Sequence, residues 1–304
     1  MDGKLDFLQW RAAEGTDEDQ PDGQSAKLAV EFLEGEHAKP FFLAVGFRKP
    51  HDPYVAPKKY FEPYPLKSLP LHCDPSDISS MPHYHRGIAG FYKVRHFEAF
   101  TERDQREFLR AYFAGTTFMD AQLGRVLDAL DRTGLTENTI VVVLSDHGYH
   151  LGERGWWNKS TLYEYSARSP LIVAAPARTA KGVACRRLVE FVDVFPTITE
   201  LCGLTPPERL DGRSLVPLLD DPTQPWSESA YTVQARGDYL GRSVRTERYR
   251  HIEWHDPEGQ VELYDHRTDP GEFYNLANDP EYAEVVDRLR KMLRQNRPEP
   301  LEDG

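Results

Sequence analysis

Residues 139–159 constrain the fold more than any other part of this chain, and they read T-I-V-V-V-L-S-D-H-G-Y-H-L-G-E-R-G-W-W-N-K. The apolar run at 140–144 predicts a strand that is buried on both faces of a sheet. Asp146, His147 and Gly148 follow this strand almost at once. Because ligands of open α/β sheets bind beyond the carboxyl ends of the strands, this turn is a candidate site.

Asp and His are both metal ligands, and Gly148 lets the backbone turn sharply behind them. On these residues alone a second interpretation stays open. The Asp146–His147 pair would then be a hydrogen-bonded cap on the strand end, with no ligand.

Composition excludes two classes of partner. A formal net charge of -12 argues against nucleic acid, which needs a basic face. No apolar run approaches the roughly 20 residues of a membrane helix, so we expect no membrane partner. Small anions remain compatible with this charge, because screening over about 8 Å lets a local basic cluster outweigh distant carboxylates. The first twenty residues show no signal-peptide pattern, so the compartment stays unknown.

Local patterns predict an α/β fold with a smaller C-terminal part. Apolar spacing is helical in several segments and strand-like in others, and from residue 227 the pattern alternates and is rich in Tyr. We therefore predict an α/β domain over residues 1–222 and a small antiparallel sheet with a helix over residues 223–304. The predicted helices are 25–33, 103–133, 189–202 and 281–294, and the predicted strands are 41–47, 140–144 and 169–176.

The segment R-K-P-H-D-P-Y at 48–54 follows the predicted strand 41–47. Pro50 and Pro53 restrict the residues before them, which would fix the directions of Lys49 and His51. The competing interpretation is a solvated loop with incidental charge. Residues 55–100 predict a long loop. A zinc site at His72, Cys73, His83 and His85 is disfavoured, because the spacing matches no structural zinc pattern and only one thiolate is available.

Three segments together resemble the sulfatases, and within them the iduronate-2-sulfatase-like group. They are S-D-H-G-Y-H-L-G-E-R-G-W-W-N-K-S-T-L-Y-E, with P-F-F-L-A-V-G-F-R-K-P-H-D-P-Y upstream and E-L-Y-D-H-R-T-D-P-G-E-F-Y-N-L downstream. The resemblance runs in order over about residues 23–293. It implies an alkaline-phosphatase-like sheet flanked by helices, a bound calcium ion, and sulfate-ester hydrolysis by a formylglycine made from Cys or Ser.

The resemblance also implies roles for four residues. Asp146 and His147 would be calcium ligands, while Lys159 and His51 would contact the sulfate group of the substrate. The implied substrate is a sulfated glycan or a similar small anionic sulfate ester. A metal ion with fixed cations would stabilise charge on a sulfuryl group during its transfer.

The chain departs from the family pattern in its nucleophile. The sequence contains neither a strand ending in paired aspartates nor a C-x-P-x-R motif. The segment C-D-P-S-D at 73–77 has Asp77 in place of the arginine and lies after the K-P-H loop, so Cys73 is interpreted as an ordinary loop cysteine. We therefore expect that the N-terminal third of the domain is absent, that only half of the calcium site is present, and that a complementing N-terminal sulfatase segment is a partner.

These departures leave three functions open. The first is a sulfatase whose chain is inactive alone. The second is a phosphodiester or phosphonate ester hydrolase of the same superfamily. The third is a degenerate sulfatase-like protein that binds without catalysis. A truncated sheet would also leave an apolar edge exposed, which predicts poor solubility.

Overall fold

The computed structural model describes residues 2–5, 8–77, 79, 101–176, 178, 181–227, 229–236, 238–255 and 259–296. The chain divides into two compact units. The N-terminal unit comprises Met1–Cys73 with Lys93–Thr139, and the C-terminal unit comprises Asp74–Tyr92 with Ile140–Gly304. Residues 78 and 80–100 of the predicted long loop, with His83 and His85, lie outside the described residues. The described part is not wholly loop, because it begins in a strand at Tyr54–Pro57 and contains short 3-10 helices at Lys58–Phe61 and Leu66–Ser68. The predicted domain boundary at residue 222 stays a prediction.

The N-terminal unit combines a three-stranded sheet with two helices. Strands β1 (Asp2–Leu5), β2 (Leu8–Ala13) and β3 (Tyr54–Pro57) lie in that order, with β1 and β2 antiparallel and β2 and β3 parallel. Helix α1 is Pro21–Leu33 and helix α2 is Glu102–Arg132. A capping box at Thr101 starts α2, whose Phe108 and Phe118 are fully buried. Both predicted helices are confirmed.

The predicted strand at 41–47 is wrong for the part of the chain that the structure describes. None of these residues belongs to a helix or a sheet, and Phe42 is 83% exposed. A buried strand needs a neighbouring strand to satisfy its backbone N–H and C=O groups, and no described strand takes that place.

The C-terminal unit contains a two-stranded sheet that carries the Asp-His turn. Strand β4 (Val141–Leu144) pairs antiparallel with β5 (Leu171–Ala174). The prediction that this strand is buried on both faces is wrong for the described residues, because its side chains are half-buried or exposed and Ile172 of β5 is 60% exposed. The error has a physical cause, since burial of a strand depends on its covering layers, which its own sequence does not specify.

A four-stranded antiparallel sheet confirms the predicted C-terminal pattern. Its strands are β6 (Ser229–Arg236), β7 (Tyr239–Thr246), β8 (Tyr249–His255) and β9 (Val261–Asp265), in that order. Short helices α3 (Glu164–Ala167), α4 (Val194–Leu201) and α5 (Val216–Asp220) precede the sheet, and α4 is shorter than the predicted helix 189–202.

Helix α6 (Ala283–Gln295) covers one face of this sheet. Its buried Leu289 and Leu293 pack with Val244 and Leu263 of the sheet, which the amphipathic pattern predicted. No described helix is both long enough and apolar enough to cross a bilayer.

Candidate functional site

The Asp146–His147 pair lies directly beyond the carboxyl end of β4, as predicted. The Nδ1 atom of His147 is 2.7 Å from the carbonyl oxygen of Gly148. Because a carbonyl oxygen can only accept, Nδ1 carries a proton, and in the neutral imidazole Nε2 is then the nitrogen with a lone pair. That Nε2 atom lies 3.3 Å from Asp146 Oδ2. The pair therefore presents one imidazole nitrogen and one carboxylate oxygen side by side, on an Asp146 side chain that is 81% exposed.

Gly148 fixes this turn by a close backbone approach. A Cβ at this position would lie 2.1 Å from the carbonyl oxygen of Tyr165 and 2.4 Å from that of Arg168. The N–H of Gly148 donates to the carbonyl oxygen of Ser166 over 2.9 Å. A side chain at this position would clash with α3 and with the residue after it, so packing requires a glycine. The sequence analysis had explained Gly148 only by the sharp backbone turn.

Lys159 lies on the loop that follows the turn, and its main chain is held on both sides. Its N–H donates to Asn158 Oδ1 over 2.8 Å, and its carbonyl oxygen accepts from Trp156 Nε1 over 3.2 Å. The next residue, Ser160, has a φ of 72°, a conformation that is uncommon for a residue with a Cβ. The Lys159 side chain is half-buried and forms no ion pair among the described residues. The backbone is thus fixed while the ammonium group stays available.

Arg154 anchors the same loop from inside the C-terminal unit. Its buried guanidinium group donates to the carbonyl oxygens of Glu272 and, over 3.0 Å, of Ser79, and it lies 4.8 Å from the centre of the Tyr163 ring. Its φ of 57° is also in the left-handed region. Arg154 is therefore not a solvated side chain, because its guanidinium group is buried in these internal contacts.

A buried charge cluster lies beside this anchor, and sequence reasoning missed it. Arg250 Nε donates to Glu272 Oε1 over 2.6 Å, and Arg250 Nη2 donates to Glu164 Oε2. His266 Nε2 lies 2.8 Å from Glu272 Oε1, and Arg245 Nε lies 3.2 Å from Glu164 Oε2. Burial raises the pKa of Glu272, but Arg250 and His266 outweigh it and hold this pKa at about 2.

Glu164, His266 and Glu272 offer ligand atoms within 4.8 Å of one another, a spacing that would suit a metal ion. Arg250 contacts both carboxylates, and Arg245 contacts Glu164 as well. A metal ion would have to displace these guanidinium groups. We therefore assign the cluster a structural role: it holds the start of α3 against β8, and the Glu164 N–H donates to Glu272 Oε2 over 2.8 Å.

His51 belongs to the N-terminal unit, on an ordered loop. The backbone N–H groups of Arg48 and Lys49 donate to the two oxygens of Asp22, each over 2.9 Å. The Lys49 ammonium donates to the carbonyl oxygens of His51 and Pro53, and burial lowers the pKa of Lys49 against the opposing charge of Asp22. The loop is therefore ordered, but His51 is exposed, so the interpretation as a solvated loop with incidental charge stays open.

The ring of His51 has a defined hydrogen-bonding state. Its Nδ1 lies 2.8 Å from the carbonyl oxygen of Asp52 and 2.9 Å from Asp52 Oδ1. Nδ1 therefore carries the proton, and Nε2 is left to interact with a ligand. Asp146, His147 and Lys159 lie in the C-terminal unit and His51 in the N-terminal unit; the metal and sulfate roles of all four stay predictions.

Two family models match this chain. The model "Sulfatase" matches residues 6–204, and the model "N-sulphoglucosamine sulphohydrolase, C-terminal" matches residues 152–299. A protein named "Sulfatase" from Formosa agariphila is 34% identical over 288 residues, which is 93% of this chain and 55% of that protein. Mouse iduronate 2-sulfatase is 30% identical over 353 residues, which is 89% of this chain and 64% of that protein.

Solved structures agree with these matches. The phosphonate monoester hydrolase of Silicibacter pomeroyi superposes with a TM-score of 0.79 at 26% identity, over 92% of this chain and 60% of that one. This likeness confirms the predicted alkaline-phosphatase-like α/β fold. The chain spans about half the length of the first curated relatives, 55% in the Formosa protein. The sulfatase match begins at residue 6, and the absence of the N-terminal third of the domain stays a prediction.

Proposed function

Because this chain belongs to the sulfatase family, we propose that its candidate site acts in the hydrolysis of sulfate esters. The proposed substrates are sulfated sugars and similar anionic sulfate esters, as in the iduronate-2-sulfatase-like group. The observation that carries the proposal is the loop beyond β4. It presents the Nε2 of His147 and the Oδ2 of Asp146 together, and it carries the ammonium group of Lys159 on a fixed backbone.

The metal ion proposed for this site is Ca2+, and the geometry of the pair fits it. Ligand atoms at calcium distances that meet at right angles lie about 3.3–3.7 Å apart. Asp146 Oδ2 and His147 Nε2 are 3.3 Å apart, so they suit adjacent positions around one ion. These two atoms supply only part of a site, because calcium takes about six to eight ligands. When bound, the ion would withdraw electron density from the ester oxygens.

Two cationic groups of the chain have defined roles in this proposal. The Lys159 ammonium is a compact charge with three donors, and it would bind the non-bridging oxygens of the sulfate group. Its fixed backbone lowers the entropy cost of that contact. His51 would contact the sulfate as an imidazolium: its Nδ1–H is directed at Asp52, and a proton on Nε2 would be donated to a sulfate oxygen.

The nucleophile is the part of the reaction that this sequence does not supply. Neither C-x-P-x-R nor S-x-P-x-R occurs in residues 1–304, and Cys73 lies exposed in a loop. We therefore expect the 1–304 polypeptide to bind metal and sulfate without turnover. A complementing N-terminal sulfatase segment is the proposed partner that would supply the nucleophile and the remaining metal ligands.

A second ester chemistry has specific support. The phosphonate monoester hydrolase of Silicibacter pomeroyi shares the fold at 26% identity, and the "Multifunctional alkaline phosphatase superfamily protein PehA" of Trinickia caryophylli is 31% identical over 296 residues. A phosphodiester or phosphonate ester also places charge on non-bridging oxygens, so the same metal pair and Lys159 would serve it. The third function is that of a degenerate protein that binds an anion without catalysis. In that case the Asp146–His147 pair would still bind a metal ion, but adding an N-terminal sulfatase segment would give no turnover.

Calorimetric titration tests the metal and sulfate site that these functions share. We expect Ca2+ or Mn2+ to bind the purified chain, Asp146→Asn and His147→Gln to abolish that binding, and Lys159→Ala to weaken sulfate binding only. The exposed Lys181 supplies a matched control, Lys181→Ala, which should change neither. Metal affinity that is unchanged in both Asp146→Asn and His147→Gln would contradict the proposal.

Turnover of matched aryl sulfate and aryl phosphonate esters then decides the chemistry. It is measured on the chain alone and with the N-terminal segment of a relative added. Faster complemented turnover of the sulfate supports the sulfatase function, and faster turnover of the phosphonate supports the alternative. If the chain binds metal but hydrolyses neither ester when the N-terminal segment is added, the protein is the degenerate, non-catalytic one. Turnover by residues 1–304 alone at rates similar to those of its relatives would show that the expectation of inactivity is wrong.

A further inference from the structure

The C-terminal unit contains an arginine-lined groove that the proposed reaction does not use. Its volume is about 490 Å³, within the usual range for small-ligand sites of roughly 300–1,000 Å³. It lies between the loops before β6, the β7–β8 hairpin and helix α6, and Glu247 is the acidic side chain in its lining. Four arginines line it, in a chain whose formal net charge is -12: Arg186, Arg187, Arg248 and Arg288.

Two of these arginines are held in place by the protein. Arg248 Nη2 donates to Asp265 Oδ2 over 2.6 Å, and its guanidinium group lies 4.7 Å from the centre of the Tyr249 ring. Arg187 Nη2 donates to the carbonyl oxygen of Thr223. A guanidinium group has five N–H donors, so each arginine keeps donors for a ligand. Fixed donors of this kind reduce the entropy cost of binding.

The other two arginines give the groove its uncompensated charge. Arg186 and Arg288 are exposed, and neither forms an ion pair among the described residues. Glu247 and Asp265 offset two of the four positive charges, and two remain. A groove lined by one sign of charge concentrates ligands of the opposite sign, even when the net charge of the protein is negative.

The walls of the groove favour a ligand with flat rings and planar or tetrahedral anions. Trp226 lines the groove, and the guanidinium group of Arg213 lies 3.8 Å from the centre of its ring, which fixes the indole. Aromatic side chains offer apolar contact to ring-shaped ligands, and guanidinium groups bind carboxylate and sulfate oxygens in pairs. A nucleic-acid duplex is disfavoured, because four arginines in one groove do not form an extended basic face.

We propose that this groove binds the sulfate and carboxylate groups of an acidic glycan chain, using residues other than Asp146, His147 and Lys159. The glycan class rests on the proposed function, whereas the anionic character of the ligand rests on the groove itself. The groove would hold a part of the glycan in which no sulfate ester is being cleaved. It would thereby raise the affinity of long sulfated substrates over that of single sugars.

Fluorescence polarisation with a labelled heparin hexasaccharide tests this site on the purified chain. We expect the double variant Arg186→Ala/Arg288→Ala to weaken binding by about tenfold, the combined effect of two exposed charge contacts. The matched control is Arg209→Ala/Arg294→Ala, which removes the same charge from exposed arginines outside the groove. The control should leave the affinity within about twofold, since neither of its side chains lines the groove and exposed charges that do not contact a ligand are partly screened. A desulfated hexasaccharide should bind more weakly to the wild-type chain.

Several outcomes would overturn the proposal. The first is a wild-type chain that does not bind the hexasaccharide. The second is an equal loss of hexasaccharide affinity in both double variants. The third is a loss of hexasaccharide affinity in Lys159→Ala with none in Arg186→Ala/Arg288→Ala. Displacement by inositol hexakisphosphate at lower concentrations than by the hexasaccharide would show that the ligand class is wrong. A failure of the proposed function would appear in the metal titration of Asp146→Asn, which does not involve the groove.

Discussion

Replacing Glu272 by Gln should remove a large part of the stability of the C-terminal unit. The carboxylate of Glu272 is fully buried and contacts Arg250, His266 and the N–H of Glu164. Breaking a buried ion pair leaves the remaining charge without its partner, which costs about 3–5 kcal/mol. Because Arg250 keeps its contact with Glu164, we expect the lower end, about 3 kcal/mol.

The pKa of Glu272 gives an independent magnitude. Folding lowers this pKa from an ordinary 4.5 to about 2, and this difference corresponds to about 3 kcal/mol of stabilisation. Since the pKa is lower in the folded state, the stabilisation is complete above pH of about 4.5. It disappears as the pH falls through about 2. The two magnitudes agree, although they come from different reasoning.

Urea unfolding of the wild type and of Glu272→Gln measures this effect as a function of pH. We expect a difference in the free energy of unfolding of about 3 kcal/mol at pH 7.5 that shrinks steadily between about pH 4.5 and 2. The exposed Glu208 supplies a control, Glu208→Gln, which should differ little from the wild type at any pH. A difference below about 1 kcal/mol at neutral pH, or a difference that does not change with pH, would refute the assignment of a buried, ionised Glu272.

Three further substitutions test how the loops are held. Gly148→Ala forces a Cβ against the carbonyl oxygen of Tyr165, so we expect a destabilisation of about 1–3 kcal/mol and weaker metal binding; unchanged thermal unfolding would contradict the close packing. Arg154→Met keeps the side-chain volume but removes the buried charge contacts, and it should speed hydrogen exchange in residues 149–160 while leaving β6–β9 protected. Asp22→Ala removes the acceptor of the Arg48 and Lys49 N–H groups, and it should make residues 46–53 sensitive to proteolysis at neutral pH; equal cleavage of the wild type would show that this carboxylate does not order the loop.

The features that the sequence predicted well are set by residues close together in the chain. Helix α2 follows from a capping box at Thr101 and an apolar stripe, and the C-terminal sheet follows from alternation between turns. The Asp146–His147 turn was located correctly at the end of β4 for the same reason. Its hydrogen-bonding state needed the structure, because the proton on His147 Nδ1 is fixed by a backbone carbonyl.

The features that the sequence did not predict depend on distant partners. Arg154 sits in a polar stretch that is typical of an exposed loop, yet it is buried by contacts with Tyr163, Ser79 and Glu272. The burial of β4 was overestimated because no local pattern specifies the layers around a strand. The cluster around Arg250 joins side chains from separate segments of the chain, so their spacing in the sequence did not predict it.

The contacts of the Lys159 loop set an order of events during synthesis of the chain. Residues 146–159 are made before residues 250–272, but Arg154 and Glu164 are held by Glu272 and Arg250. The loop can therefore reach its final arrangement only when β8 and the residues through Glu272 have left the ribosome. A fragment that ended before β9 would keep every predicted metal and sulfate residue of this unit and still lack their arrangement.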